Sequence, residues 1–360
     1  MKRSLPIALL VYLLLIVSSP AADLVRHEIH FPDLEGYKTL KCDLHMHTVF
    51  SDGHVWPTTR VGEVWQQGLD CISITDHFEY RPHSKDVSKD LNRTYELCAD
   101  LAKQLDMLLI RGGEITKRTP PGHFNVIFVK DLGPLNDPDI MKQAKLAVEQ
   151  GGFMFWNHPL LWDGRWTDTH EKLYKAGLLR GIEICNSHNQ KITRGAFRIA
   201  LEKDLTLLGN SDVHPPFQFQ RTTSDNHRTM TLVFAKERTL AAVQEALNEK
   251  RTIVWQDDTI YGREKWMAPF FERSIRVSKP TLRVKNKMWI MIENLTSADI
   301  QLERVGKIGP PKLTLPARST TNTWIRVTPK GPAPTELQYK AVNFLIGPDK
   351  PLPVTLKIPQ

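Results

Sequence analysis

Cysteine is scarce in this 360-residue chain, and the four present, Cys42, Cys71, Cys98 and Cys185, form no CxxC pair. That spacing excludes the usual thiolate zinc site. Three of the four lie in apolar strand-like runs, where a free cysteine packs as a small hydrophobe, so no structural disulfide is expected. No GxGxxG turn follows any strand-like run, which removes the fingerprint of dinucleotide binding. No Lys/Arg block is dense enough to mark a nucleic-acid track. Beyond residue 22 no apolar run approaches the about 20 residues that cross a bilayer. What remains is an ordinary globular composition, 41% hydrophobic and 24% charged, with a formal net charge of +8. Its scattered basic surplus favours anionic substrates only weakly.

The N-terminus is less ordinary. Met1-Lys2-Arg3, an apolar run from Leu5 to Val17 and then Ser18-Ser19-Pro20-Ala21-Ala22 follow the order of a secretory signal peptide: basic start, apolar middle, small residues for cleavage. Residues 1–22 are therefore expected to be removed, leaving a soluble, exported chain, periplasmic or secreted, with 46 basic against 40 acidic residues, or +6. A retained N-terminal anchor is the rival reading.

From Tyr37 to Trp255, short apolar runs alternate with segments of helical period, the signature of βα units on a mostly parallel sheet. Strands are expected at 40–45, 71–75, 107–111, 124–129, 153–156, 181–185, 205–208 and 230–234, with helices over Val61 to Gly68, Leu91 to Leu105, Ile192 to Asp204 and Leu240 to Lys250. Seven or eight units in this length favour a closed or distorted barrel over an open sheet. After Arg263 the pattern changes to Pro-, Gly- and Thr-broken strands with no further helix, a small β-sandwich over 270–360. The sequons at Asn92 and Asn294 are read as chance occurrences.

Polar residues gather where the strands end, the face on which barrel enzymes place their sites. His45 and His47 stand at i and i+2 on an extended chain, so both imidazoles point to one side. Asp52 follows on the next loop; His77 ends the second strand, Glu114 the third, His158 the fifth, and Asp212 with His214 the seventh. His123 is the exception, preceding its strand. Singly, each has a plainer reading: Asp52 as a helix cap, Glu114 as a partner of Arg111, a lone histidine as a packed core residue. Jointly, six histidines and three carboxylates at recurrent strand ends read as a metal cluster. Nine mixed N/O ligands suffice for two or three divalent ions, and ligands without thiolate suit Zn, Mn or Fe. Closely spaced ions acidify a shared water into a bridging hydroxide nucleophile and clamp the oxygens of a phosphate ester.

The runs Asp43-Leu44-His45-Met46-His47, Ser51-Asp52-Gly53, Thr75-Asp76-His77, Gly113-Glu114, Asn157-His158-Pro159 and Asn210-Ser211-Asp212-Val213-His214 resemble the PHP (polymerase and histidinol phosphatase) domain family. The resemblance covers about Tyr37 to Trp255. It implies a distorted (β/α)7 barrel over 36–262, a two- or three-metal site and phosphoesterase chemistry. It further implies that His45, His47, Glu114 and Asp212 hold one ion, Glu114 as a bridge with His123 and His158 a second, and Asp52, His77 and His214 a third. The leader and trailing β-domain look more like exported PHP phosphodiesterases than cytosolic histidinol phosphatases.

Asp212, His188 and Arg221 are the catalytic candidates, His188 and Asn186 as groups that touch substrate or protonate the leaving group. Arg81 and Lys117 are further phosphate-binding candidates. Trp156, Trp162 and Trp166 are read as an apolar wall for an organic ester group. The expected ligand is a small organic phosphate ester, with no nucleic-acid duplex and no membrane partner. The competing readings are a phosphomonoesterase, histidinol-phosphatase-like or a nucleotidase, and a metal-containing binding module without turnover. A metal-dependent amidohydrolase would want a ligating lysine on a strand, and none is evident.

Overall fold

The computed structural model describes residues 25–118, 120–159, 165–187, 194–217, 226–329 and 331–360, so the leader expected over residues 1–22 lies outside them. The first part alternates β1 (Lys38–Asp43), α1 (Pro57–Gln66), β2 (Cys71–Ile74), α2 (Arg93–Gln104), β3 (Leu108–Thr116), β4 (His123–Ile127), α3 (Ile140–Glu149), β5 (Phe153–Trp156), α4 (Asp168–Lys175), β6 (Leu179–Asn186), α5 (Arg194–Glu202) and β7 (Thr206–Asn210). β8 (Met230–Ala235), α6 (Leu240–Asn248), β9 (Thr252–Gln256) and β10 (Thr259–Gly262) complete it. β2, β5, β7, β8 and β9 are buried along their whole length, as expected of central strands covered on both faces.

The strands run in the order β7-β6-β5-β4-β3-β2-β1-β8-β9-β10. β1, β2 and β3 are parallel, as are β5, β6 and β7, and β4 runs antiparallel to both neighbours. The sheet curls until the segments beyond β1 and β7 meet. There Met46 bridges Val213, His47 N donates to Val213 O at 3.1 Å, and Asp212 N to His45 O at 2.8 Å. Below that closure β8 and β9 continue antiparallel from β1, so the barrel is distorted.

A helix was not expected after Arg263, yet α7 (Glu264–Ser274) follows at once. Pro269 inside it masks the signal, since proline usually ends a helix. The buried residues Met267, Phe270, Phe271 and Ser274 fall at i, i+3, i+4 and i+7, so packing of one apolar stripe outweighs the lost backbone bond.

The C-terminal strands are β11 (Ile275–Val277), β12 (Leu282–Val284), β13 (Lys287–Asn294), β14 (Ile300–Arg304), β15 (Lys312–Leu315), β16 (Thr320–Arg326), β17 (Glu336–Leu345) and β18 (Pro351–Lys357). β11, β12, β13 and β16 form one sheet, and β14, β15, β17 and β18 the other. The second sheet is not free-standing: β17 pairs in parallel with β10, Ile260 beside Phe344 and Tyr261 beside Leu345. One apolar cluster runs from Ile72 and Trp255 of the barrel through Phe270 to Ile290 and Leu337 of the sandwich.

All four cysteines are free and buried. Asn294 is buried, its Nδ2 donating to the Ala298 and Leu315 carbonyls, so this sequon is part of the fold. The basic surplus is not scattered. Residues 275–360 carry fourteen Lys and Arg against five Asp and Glu, a net +9, whereas residues 1–274 carry 34 against 35.

Candidate metal centre

The nine predicted ligands converge at one rim of the barrel. β1 continues extended through His45 and His47, whose Nε2 atoms lie 3.1 Å apart, while Met46 between them faces the core. The loop that follows is tight: a Cβ on Gly53 would stand 2.6 Å from the backbone of His47 and Thr48, so only glycine lets it fold back and deliver Asp52. Beyond β2, His77 bridges to Glu114 of β3. His123 opens β4, and because β4 is antiparallel its first residue lies at the rim where the parallel strands end. The one sequence position out of pattern is thereby explained. His158 and Asp212 follow β5 and β7 with φ of 27° and 53°, left-handed conformations that cluster at functional sites.

Glu114 stands in the middle. Its Oε1 is 3.0 Å from His123 Nδ1 and 3.4 Å from His158 Nε2. Its Oε2 is 3.3 Å from His45 Nε2, 3.2 Å from His47 Nε2 and 3.0 Å from His77 Nδ1. Asp212 Oδ1 lies 3.2 and 3.1 Å from the same His45 and His47 nitrogens. At the outer edge Asp52 Oδ1 is 3.2 Å from His214 Nε2, 3.4 Å from His77 Nε2 and 3.8 Å from His47 Nδ1. Metal–ligand bonds of about 2.0–2.2 Å hold neighbouring donor atoms about 3.0–3.5 Å apart, so these separations suit atoms sharing an ion. Asp52 Oδ1 and His158 Nδ1 are buried without a well-formed hydrogen bond.

Four groups of donors lie close enough to hold an ion: His47, Asp52, His77 and His214; His45, His47 and Glu114; His45, His158 and Asp212; His77, Glu114 and His123. Every predicted ligand falls in at least one group, and shared members join the groups into one cluster.

The electrostatics point the same way. Burial opposes charge throughout. Against it, the surrounding imidazoles hold Glu114 well below the ordinary carboxylate range and push Asp52 and Asp212 down as well. Asp212, Glu183 and Glu114 raise His45 well above its ordinary value, and Glu114 with Asp52 lift His77 to about 10 despite burial. A buried site in which every carboxylate stays ionised calls for positive charge among them.

A second layer, unremarked in the sequence, orients these ligands. Glu183 in β6 is buried; its Oε1 accepts from His45 Nδ1 and Asn210 Nδ2 at 2.8 Å each, its Oε2 from His158 N at 2.8 Å and Asn186 Nδ2 at 3.0 Å. An ionised carboxylate only accepts, so His45 donates its Nδ1–H to Glu183 and directs Nε2 to the centre, where a bound metal ion would take the place of the second proton. His47 Nδ1 meets Ser51 Oγ at 3.2 Å and His214 Nδ1 meets Asp212 O at 2.8 Å, presenting their Nε2 atoms in the same way. Asp76, beside His77, accepts from Thr48 N and Ser51 Oγ at 2.8 Å and from Thr94 Oγ1 at 2.7 Å, tying the ligand loop to α2. An acidic residue in mid-strand was the available signal for Glu183, since such a group needs partners if buried.

The substrate-side expectations fare less well. His188, Arg221 and Trp162 lie outside the described residues. Arg81 is spent on the carbonyls of Phe50, Lys89 and Ser88, and Lys117 on Glu79 and the carbonyls of Asp137 and Pro138. Arg111 bonds the Lys130 carbonyl and stacks over Tyr95 rather than meeting Glu114. Asp52 caps no helix, because Trp56 occupies that position of α1. Asn186 bonds Glu183 and, at 3.3 Å, Asp212, which places it beneath the ligands. Trp156 is buried against Trp166 and His170, so it packs the core instead of walling a pocket.

A curled α/β barrel with N/O donors that could hold metal gathered at its rim is the frame of a metal-dependent hydrolase. Comparison with solved structures agrees. The chain is similar to a two-domain protein containing a predicted PHP-like metal-dependent phosphoesterase from Bacteroides vulgatus, with 40% identity over 92% of this chain and 99% of that one and a TM-score of 0.85. A candidate metal-dependent phosphoesterase from Bifidobacterium adolescentis is similar at 16% identity over 57% of this chain and 95% of that one, TM-score 0.41, too distant to add to the assignment. Residues 275–357 match an Ig-like domain family. No curated protein matches the chain. The chain belongs to the PHP-like metal-dependent phosphoesterases that carry a C-terminal Ig-like domain.

Proposed function

We propose that this phosphoesterase is an exported phosphodiesterase acting on small organic phosphate esters, with the nine rim residues as its metal ligands. The observation that carries it is Glu114, whose two oxygens look two ways, one toward His123 and His158, the other toward His45, His47 and His77. With metal bound, Glu114 would be shared between an ion held by His45, His47 and Asp212 and one held by His123 and His158. Asp52, His77 and His214 would hold a third ion at the outer edge. Bound Zn, Mn or Fe would supply an acidified water and positive charge for the phosphoryl oxygens. The protein's part is to fix the donors: Glu183, Ser51 and the Asp212 carbonyl set which imidazole nitrogen faces inward.

Preference for a diester is supported by the commitments of the nearby cations. Among the described residues Arg60 and Arg228, like Arg81 and Lys117, are engaged with backbone carbonyls or carboxylates, so from these the second charge of a monoester would meet less neutralisation. Export rests on the leader at residues 1–22, and N-terminal sequencing of protein from the native host reads it directly. The activity is tested by metal content and by hydrolysis of bis(p-nitrophenyl) phosphate and p-nitrophenyl phosphate, with wild type against His45→Ala and Asp212→Ala. The expected result is diester cleavage that both substitutions reduce by about a thousandfold or more; bound metal with neither ester cleaved would move the protein to a binding role.

A further inference from the structure

The Ig-like unit carries a cleft of about 500 Å³ that the phosphoesterase reading does not use. One wall is the outward face of β16, with Trp324 and Arg326; the other is the loop after β14, with Arg304, Lys307 and Pro310-Pro311. None of the lining residues is acidic.

The cleft is built rather than incidental. Arg304 N donates to Pro311 O at 2.9 Å, its guanidinium bonds the Gly309 carbonyl, and Tyr339 Oη donates to Pro310 O at 3.1 Å. Gly309 has φ of 103°, and a Cβ there would stand 2.4 Å from Tyr339 Oη, so the loop takes this shape only with glycine. Two prolines stiffen the wall further. Opposite them Trp324 is 40% exposed, and Lys287 Nζ stands 4.2 Å over its ring. The setting concentrates charge, since residues 275–360 hold a net +9.

We infer that this cleft binds an acidic oligosaccharide, a chain of sugar rings bearing carboxylates or sulfates. The face of an indole is electron-rich and attracts the positively polarised C–H face of a pyranose, while Lys307 and Arg326 supply charge and, in Arg326, a planar fork for carboxylate or sulfate; Arg304, bonded to the Gly309 carbonyl, shapes the wall and adds its charge. Single-stranded nucleic acid fits less well, because stacking platforms for it line up successive aromatics along a basic track; this cleft has one aromatic between two short walls. Its volume lies within the range of small-ligand sites. The Ig-like unit then holds the enzyme on an acidic glycan surface while the barrel works.

Calorimetric titration of the full chain at about 0.15 M salt tests this, using a heparin-derived hexasaccharide, neutral cellohexaose and a thymidine dodecamer. Trp324→Ala and the double variant Lys307→Gln/Arg326→Gln change the cleft, and Lys357→Gln removes a charge of the same domain on β18 outside it. The expected result is binding of the acidic hexasaccharide only, weakened about tenfold or more by each cleft variant and within about twofold in K357Q, with melting temperature and metal content unchanged. No binding of the hexasaccharide overturns the proposal. So does equal binding by W324A, which reduces the effect to net charge, and so does tighter binding of the dodecamer, which makes the site one for nucleic acid.

Discussion

Glu183→Gln tests whether one buried carboxylate orients the imidazoles proposed as metal ligands. Glu183 takes four donors, His45 Nδ1, Asn210 Nδ2, the His158 backbone N–H and Asn186 Nδ2, all within 3.0 Å, and has no proton of its own to give. A glutamine keeps the shape but turns an NH2 toward one of these two pairs, so two buried donors face a third. Each donor left without an acceptor costs about 1–3 kcal/mol, which makes the folded chain about 2–6 kcal/mol less stable before relaxation. Where the displaced pair is His45 with Asn210, the imidazole loses the contact that points its Nε2 at the centre, and affinity for divalent metal should fall about 10–100-fold. Thermal unfolding gives the first quantity and competition against a chelating dye gives the second. An E183Q protein that melts with wild type and holds metal within about twofold of it would refute the orienting role.

Three further outcomes follow from the geometry. Asp52→Ala removes the carboxylate nearest His214 and should lower bound metal by about one ion per chain, read by elemental analysis; loss of all metal, or of none, contradicts a separate outer site. His170, buried against Trp156 and Trp166, is pushed by burial from 6.5 down to about 4. Its folded value lies below the unfolded one, so stability is full above about pH 6.5 and is lost as pH falls toward about 4, by about 3 kcal/mol at most. His170→Gln keeps a residue able to complete the helix-start capping box with Thr167, and should flatten the fall in melting temperature over that window; parallel slopes in both proteins contradict it. Phe344→Ala empties a buried position whose ring lies 5.6 Å from Phe271 and 6.4 Å from Phe270. It should cost about 3–5 kcal/mol while unfolding stays a single transition; two separated transitions, only one of them shifted, would show that barrel and sandwich are not one cooperative body.

Much of the barrel is legible in the chain because its strands are short apolar runs bounded by helices of clear period, and because HxH at i and i+2 reads as one side of a strand without any tertiary knowledge. α7 was not legible, since Pro269 breaks the propensity signal and only burial of Met267, Phe270 and Phe271 restores the helix. Glu183 was not legible either. Its neighbours Ile182 and Ile184 mark a strand, but the four donors it accepts from come from Asn186 three residues on and from segments 25, 27 and 138 residues away.

The sequence by itself determined the residue types at the strand ends, hence the chemistry available: imidazole and carboxylate without thiolate. Tertiary structure decided the rest. It reversed β4 so that His123 reaches the rim, brought Glu114 among five imidazoles, tied Arg81 and Lys117 to other partners, and joined β17 to β10. Each of these depends on which distant strand becomes a neighbour. Local propensity carries no information about that, because the contacts that select it form only when the sheet curls closed.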